Sequence, residues 1–187
     1  YLHLEIASRE LDSKLLLATL AASKGHEVII SDLESIEKGL RRGALSPGIF
    51  HTKSLTPSKV KIDTHQAIIK KGVLITSIDE EGGLVIDGYD EFAKIRYSDQ
   101  TIKDSSAIFG WGPEDIESLK KMYPKYLSKI YKTGSPRADM WSPFFSKYWG
   151  IPKKMPKKPF LLVVSNMTYA NSLLPFHEII SGYKEKG

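Results

Sequence analysis

The sequence predicts an α/β domain, a parallel sheet with flanking helices. Three observations predict it. Short apolar runs of strand type recur between Leu2 and Gly134. Segments with apolar residues at helical spacing separate them. Glycines at 25, 43 and 72 stop those helices before the next run begins. Strands that alternate with helices imply parallel pairing through right-handed crossovers.

In chain order, Leu2–Ile6 alternates as a strand. A helix follows from Leu11, with Leu11, Leu15, Ala18 and Ala22 on one stripe and Leu16 and Leu20 beside it, ending at Lys24-Gly25. His26–Ser31 is a second strand and Ile36–Arg42 a short helix stopped by Gly43. Gly48–Thr52 is a weaker third strand. Thr56-Pro57 starts a helix, as an N-cap followed by proline at the first helical position, which runs to Lys71. Val73–Ile78 is a strand of buried type, Tyr89–Tyr97 a helix and Ala107–Gly110 a strand. Gly112-Pro113 opens a helix with acids first and Lys120-Lys121 last, matching the macrodipole. Ile130–Gly134 is the sixth strand. The fold class expected over residues 1–150 is therefore Rossmann-like. Residues 151–159 read as a basic, Pro-rich linker. Phe160–Val164 begins a second α/β domain with His177–Tyr183 as a helix, so the expected chain is the front part of a longer protein, or its tail packs back on the first domain. The missing initiator Met is expected to reflect trimming.

Composition narrows the function classes. The 187 residues are 41% hydrophobic and 26% charged, as in an ordinary globular protein. No apolar run reaches the ~20 residues of a membrane span, and no basic leader precedes the first strand. The chain has no cysteine, which excludes disulfides, thiolate metal sites and Cys nucleophiles. The expected compartment is the cytoplasm. The net charge of +5 suits an anionic partner. Lys153, Lys154, Lys157 and Lys158 cluster in the linker and read as a solvated run; no nucleic-acid partner is expected. The five histidines show no HxxxH or HExxH spacing, and no GxSxG elbow or Walker A loop occurs, so no metal site, serine hydrolase or P-loop enzyme is expected.

Ligands of open parallel sheets bind outside the carboxyl ends of the strands, so the loops after strands hold the candidate chemistry. Ser8-Arg9-Glu10 follows the first strand. A helix N-terminus with a bidentate cation suits a phosphate or carboxylate; the other reading has Ser8 as a cap and Arg9 paired with Glu5 or Glu10 at the surface. The glycines of GxGxxG are absent, which disfavours NAD. Asp79-Glu80-Glu81-Gly82-Gly83 follows the buried strand. Its carboxylates suit general acid/base work and its glycines a close ligand; the other reading is a solvated acidic loop. Thr133-Gly134-Ser135-Pro136-Arg137-Ala138-Asp139 presents a cation and an anion two residues apart. Glu81 and Asp139 converging on one sugar form a layout for nucleophile plus acid/base; the other reading has Asp139 capping a helix and pairing with Arg137.

Three segments carry a resemblance to a known family: Glu5-Ile6-Ala7-Ser8-Arg9-Glu10-Leu11-Asp12, Asp79-Glu80-Glu81-Gly82 and Thr133 to Asp139. Phe109-Gly110-Trp111-Gly112 and the helix ending at Tyr123-Pro124 fit it too. Over residues 1–166 the chain resembles the bacterial surface-carbohydrate biosynthesis proteins, which include retaining β-Kdo transferases of the GT-B type. The Gly-x-Pro-Arg-x-Asp turn is shared with GT-B sugar epimerases, so it marks the superfamily better than the reaction. The resemblance implies an acceptor-side domain first and a nucleotide-sugar domain after it. Asp139 would be the nucleophile and Glu81, or its neighbour Glu80, the acid/base. Arg9 or Arg137 would hold a sugar carboxylate, with Ser8, Glu10, Gly82, Ser165 and Asn166 also toward substrate. The implied donor is a sugar nucleotide, CMP-Kdo foremost, with no further cofactor, and the acceptor a glycan or glycolipid. Basic residues would hold the enzyme at the inner face of the plasma membrane, and this chain alone would be inactive. Two alternatives stand: an epimerase-like sugar-nucleotide enzyme, and a non-catalytic Rossmann-like module that binds an anion or a partner.

Overall fold

A computed structural model describes residues 1–83, 85, 87–150, 159, 161 and 177. Six strands form one all-parallel sheet: β1 (Leu2–His3), β2 (Ile30–Ser31), β3 (Ile49–Thr52), β4 (Leu74–Ile78), β5 (Ala107–Gly110) and β6 (Ile130–Lys132). Their order is β2-β1-β3-β4-β5-β6. The fold is Rossmann-like, and the order reverses between β1 and β3, where such sheets open a crevice. Among the described residues eight α-helices connect and follow the strands: α1 (Ala7–Ser23), α2 (Leu33–Arg42), α3 (Lys59–Ile69), α4 (Tyr89–Arg96), α5 (Asp99–Asp104), α6 (Pro113–Met122), α7 (Pro136–Asp139) and α8 (Ser146–Trp149). These elements belong to a compact unit, Tyr1–Trp149; Gly150–Gly187 forms a second. The expected linker, the strand Phe160–Val164, Ser165, Asn166 and the helix from His177 lie outside the described residues, Pro159, Leu161 and His177 excepted.

Parallel register puts laterally paired residues on one face of the sheet. Phe50 pairs with Ile75 and Ile108 with Ile130, and all four are buried. They meet Ile36 and Leu40 of α2, Ile68 of α3, Ala93 of α4, Ile102 of α5 and Ile116 and Leu119 of α6 in one core. The opposite face carries Ile49, Leu74 and Tyr131, which stay 54%, 55% and 48% exposed. Leu17 and Ala21 of α1 share a groove with Ile49, His51 and Phe109 of that face.

Several boundaries differ from expectation. β1 and β2 are two residues each, because only that much of the first two runs pairs. α1 starts at Ala7, four residues before Leu11, so Ser8, Arg9 and Glu10 form its first turn rather than a loop. Its buried positions are Glu10, Ser13 and Lys14, while Leu15 and Leu20 are exposed. Burial on α1 follows the charged partners waiting beneath its first turns, not its leucine stripe. The cap of α3 is Ser58, whose hydroxyl accepts from Lys61 N, rather than Thr56. α5 was not anticipated. A capping box between Ser98 and Thr101 starts it. Asp32 caps α2, and Gly43 ends it in the left-handed region at φ 73°.

Candidate functional site

The loop from β1 into α1 is built around Glu10. Its side chain is 0% exposed. One carboxylate oxygen accepts from Glu5 N at 2.9 Å and Ile6 N at 3.4 Å. The other accepts from Arg9 Nη2 at 2.9 Å and lies 3.8 Å from Lys53 Nζ. Burial alone would raise the Glu10 carboxyl, but the two amides, Arg9 and Lys53 together hold it below the usual carboxylate range. Lys53, just past β3, also pairs with Glu5. The crevice between β1 and β3 is thus filled by an internal ion network. One expectation for the segment is corrected, the cap, and one is met, the Arg9 pair. The anion at the start of α1 is the chain's own Glu10, and Ser8 is no cap, since Ile6 holds that position without a side-chain bond. The Arg9–Glu10 pair does form, with its acid buried rather than at the surface.

The loop after β4 is equally ordered. Asp79 is buried and receives Arg96 in a fork, Nε to Oδ2 at 2.7 Å and Nη2 to Oδ1 at 2.9 Å. Glu80 is buried and accepts from Lys14 Nζ at 2.5 Å; the Lys14 side chain is 0% exposed. Glu81 is half exposed, 3.2 Å from Arg96 Nη1 and 3.9 Å from Arg9 Nη1. The solvated-loop reading therefore fails for Asp79 and Glu80. The glycines serve a neighbour within the fold: a Cβ on Gly82 or Gly83 would lie 2.8 or 2.5 Å from the Trp111 ring. Trp111 Nε1 in turn donates to Asp79 O at 2.6 Å. The expectation that Gly82 opens room for a ligand is corrected: the indole takes that room.

The loop after β6 turns into α7. Arg137 Nη1 donates to Glu80 O at 3.1 Å, and its guanidinium lies 5.6 Å from the Trp141 ring centroid. Asp139 is exposed and makes no ion pair among the described residues, so the expected Arg137–Asp139 pair is absent. Ser8, Arg9, Asp12, Arg137, Trp141 and Trp149 line a cleft of about 310 Å³. Asp139 instead lines a groove of about 490 Å³ on the open face, with His51, Phe109 and Thr133. Positions two apart on a helix do not share a side, and α7 separates the two hollows.

No family model matches the chain, and neither a curated protein nor a solved structure matches it.

Of the residues singled out in sequence, the fold brings together Ser8, Arg9, Glu10, Glu80, Glu81 and Arg137, and sets Asp139 in the adjoining groove. Lys14, Lys53 and Arg96 were missed. The first carries a weak signal, a lysine inside a leucine-rich helical stretch one turn after Glu10. Arg96 carries none, because a pairing across 17 residues has no local pattern. His51 reads in the sequence as structural. Its Nδ1 bonds Thr76 Oγ1 at 2.9 Å while its buried Nε2 has no partner among the described residues; burial lowers its pKa to about 3, and nearby positive charges add to this. Among the described residues no three His, Asp or Glu side chains gather as a metal site.

Proposed function

We propose that the chain is the acceptor-side half of a GT-B glycosyltransferase of surface-polysaccharide assembly, acting with retention through a glycosyl-enzyme intermediate. One observation carries the reading. Three post-strand loops far apart in sequence are tied together at the carboxyl edge: Arg9 lies 3.9 Å from Glu81, and Arg137 bonds the Glu80 carbonyl. Between the two acids offered for acid/base work, geometry favours Glu81. Glu80 is committed to buried Lys14, whereas Glu81 is half exposed and oriented by two arginines.

In this reading the Asp139 carboxylate attacks the anomeric carbon of a sugar nucleotide such as CMP-Kdo. The bond to the phosphate oxygen breaks and the nucleotide leaves with the electron pair. An acceptor hydroxyl then attacks the glycosyl ester, its proton passes to a base, and Asp139 returns as carboxylate; Glu81 takes that proton only where the sugar bridges α7, because Asp139 sits in the adjoining groove. The donor-binding half would begin at Phe160, with Ser165 and Asn166 toward the nucleotide. The test uses the protein from its complete coding sequence. Incubation with CMP-Kdo without acceptor should add one sugar to the intact mass, and Asp139→Asn should abolish the adduct. An adduct that persists in that variant removes Asp139 from the role; an altered sugar nucleotide without adduct favours an epimerase-like enzyme.

A second reading, a non-catalytic module that binds an anion or a partner, draws on the fact that Glu10, Asp79 and Glu80 are each spent on internal cations. It predicts neither adduct nor product.

A further inference from the structure

The sheet face opposite the core is apolar except at one place. Parallel register lines its residues up in rows. One row runs Ile49–Leu74 and another Ile78–Phe109–Tyr131. Between them runs Leu2–His51–Thr76–Ala107, where an imidazole and a hydroxyl interrupt the pattern. His51 and Thr76 also line the groove of about 490 Å³, together with Leu2, Leu17, Ile78 and Phe109. That volume lies in the range of small-molecule pockets, which are apolar with a few placed polar groups.

The imidazole is short of a partner. His51 is 9% exposed, and its Nε2 has none among the described residues. Its Nδ1 meets Thr76 Oγ1, and that hydroxyl has no other partner among the described residues. Two tautomers are open to the pair. If Nδ1 carries the hydrogen, the hydroxyl hydrogen and the Nε2 lone pair both go unmet. If the hydroxyl donates to Nδ1, a single group is left, the Nε2–H. Orphaned buried polar groups are costly, so the second arrangement wins. A strand side chain stands off the sheet, and Nε2 is the ring nitrogen farther from the backbone. The unmet donor is therefore carried outward, on the groove side of the sheet.

The lining also says what would satisfy it. Among the described residues Asp139 is the one charged side chain of the groove, and it disfavours an anion. Burial keeps His51 uncharged near neutral pH, so the imidazole offers an anion no charge either. The rings of His51, Phe109 and Tyr131 follow one another at 6.1 and 6.0 Å, which favours an aromatic body. A packed helix is a poor fit, because its own backbone groups are already bonded and the imidazole donor would stay unmet beneath it.

We propose that this groove binds a small uncharged aromatic molecule with one hydrogen-bond acceptor, a carbonyl or a ring nitrogen, to which His51 Nε2–H donates. This goes beyond the proposed reaction and does not depend on it. Because Asp139 lines the same groove, an occupant would compete with any sugar brought to that carboxylate.

Naphthyl methyl ketone, an uncharged aromatic carbonyl compound, tests it in the whole chain. Its carbonyl stretch should fall in frequency on binding, and the NMR signal of His51 Nε2 should move as the ketone is added. Naphthoate, the anionic counterpart, should bind more weakly than the ketone. Ala21→Trp, which fills the groove from α1, should abolish binding with the far-ultraviolet circular dichroism unchanged. His51→Phe keeps a ring and removes the donor; it should weaken the ketone about tenfold and leave ethylnaphthalene, which lacks the acceptor, unaffected. Should His51→Phe fail to fold, the wild-type chain still decides. Ketone binding that leaves both the carbonyl stretch and the His51 signal still overturns the proposal. So does undiminished binding to Ala21→Trp, tighter binding of naphthoate, or a stable dimer that covers this face and excludes the ketone. Ketone binding in a protein that forms no glycosyl adduct would sink the reaction and leave the groove standing; an adduct without ketone binding would do the reverse.

Discussion

Individual residues at the carboxyl edge are held by charge pairing out of water. Removing one partner of such a pair leaves an uncompensated buried ion, which costs about 3–5 kcal/mol, whereas removing both often costs nothing. Arg96→Ala should therefore lower stability by about that amount in urea unfolding, because Asp79 is only 2% exposed; a loss below ~1 kcal/mol would show that water reaches Asp79. Lys14→Met should be costly alone, while Lys14→Met with Glu80→Leu should unfold at or above the wild-type midpoint. If that double variant also keeps any transferase activity, Glu80 is excluded from acid/base chemistry and Glu81 is left with it. At this scale the sequence was half legible. A general rule about strand ends pointed to Arg9, Glu81 and Arg137, and the fold brings them together. Their partners were not legible, because Lys14 and Glu80 stand 66 positions apart and nothing local announces a pairing at that range.

Elements follow from patterns of different strength. β5 matches expectation to the residue, and α6 starts where expected and ends at Met122, one residue before Tyr123-Pro124, since a four-residue apolar run and a proline start with acids first leave little freedom. β1 and β2 are shorter than their apolar runs, because alternation continues where pairing has stopped. α1 begins four residues before its apolar pattern does, because its first turn is polar and is fixed by Glu10 bonding backward to Glu5 and Ile6. The two faces of the sheet should respond differently to truncation. Ile108→Ala, at 0% exposure in the core, should cost about 2–5 kcal/mol. Leu74→Thr on the open face should stay within about 0.5 kcal/mol of wild type. Chemical denaturation of both variants checks the contrast, and equal losses would mean that the second face is covered in solution.

For the molecule as a whole, three buried histidines set the acid limit. His3 and His65 are lowered to about 4 and His51 to about 3, in each case first by burial and then by neighbouring positive charge. An unfolded histidine titrates near ~6.5, so below that pH the unfolded chain binds protons that the folded one refuses. Their contribution is complete above about pH 6.5 and is lost as pH falls toward 4, with a slope of up to ~4 kcal/mol per pH unit for three groups. The carboxylates held low, Glu5 and Glu10, add losses only beneath the ordinary carboxylate range. Urea midpoints should thus fall between pH 6.5 and 5, and a flat profile there would contradict neutral buried histidines. The half-covered sheet has an operational corollary. Ile49, Leu74 and Tyr131 keep apolar surface in water in the native state, so a fluorescent dye such as ANS should light up on the fully folded protein. The usual optical warning of a molten globule would here report an intact one, and loss of dye signal, rather than its gain, would mark the arrival of whatever covers that face.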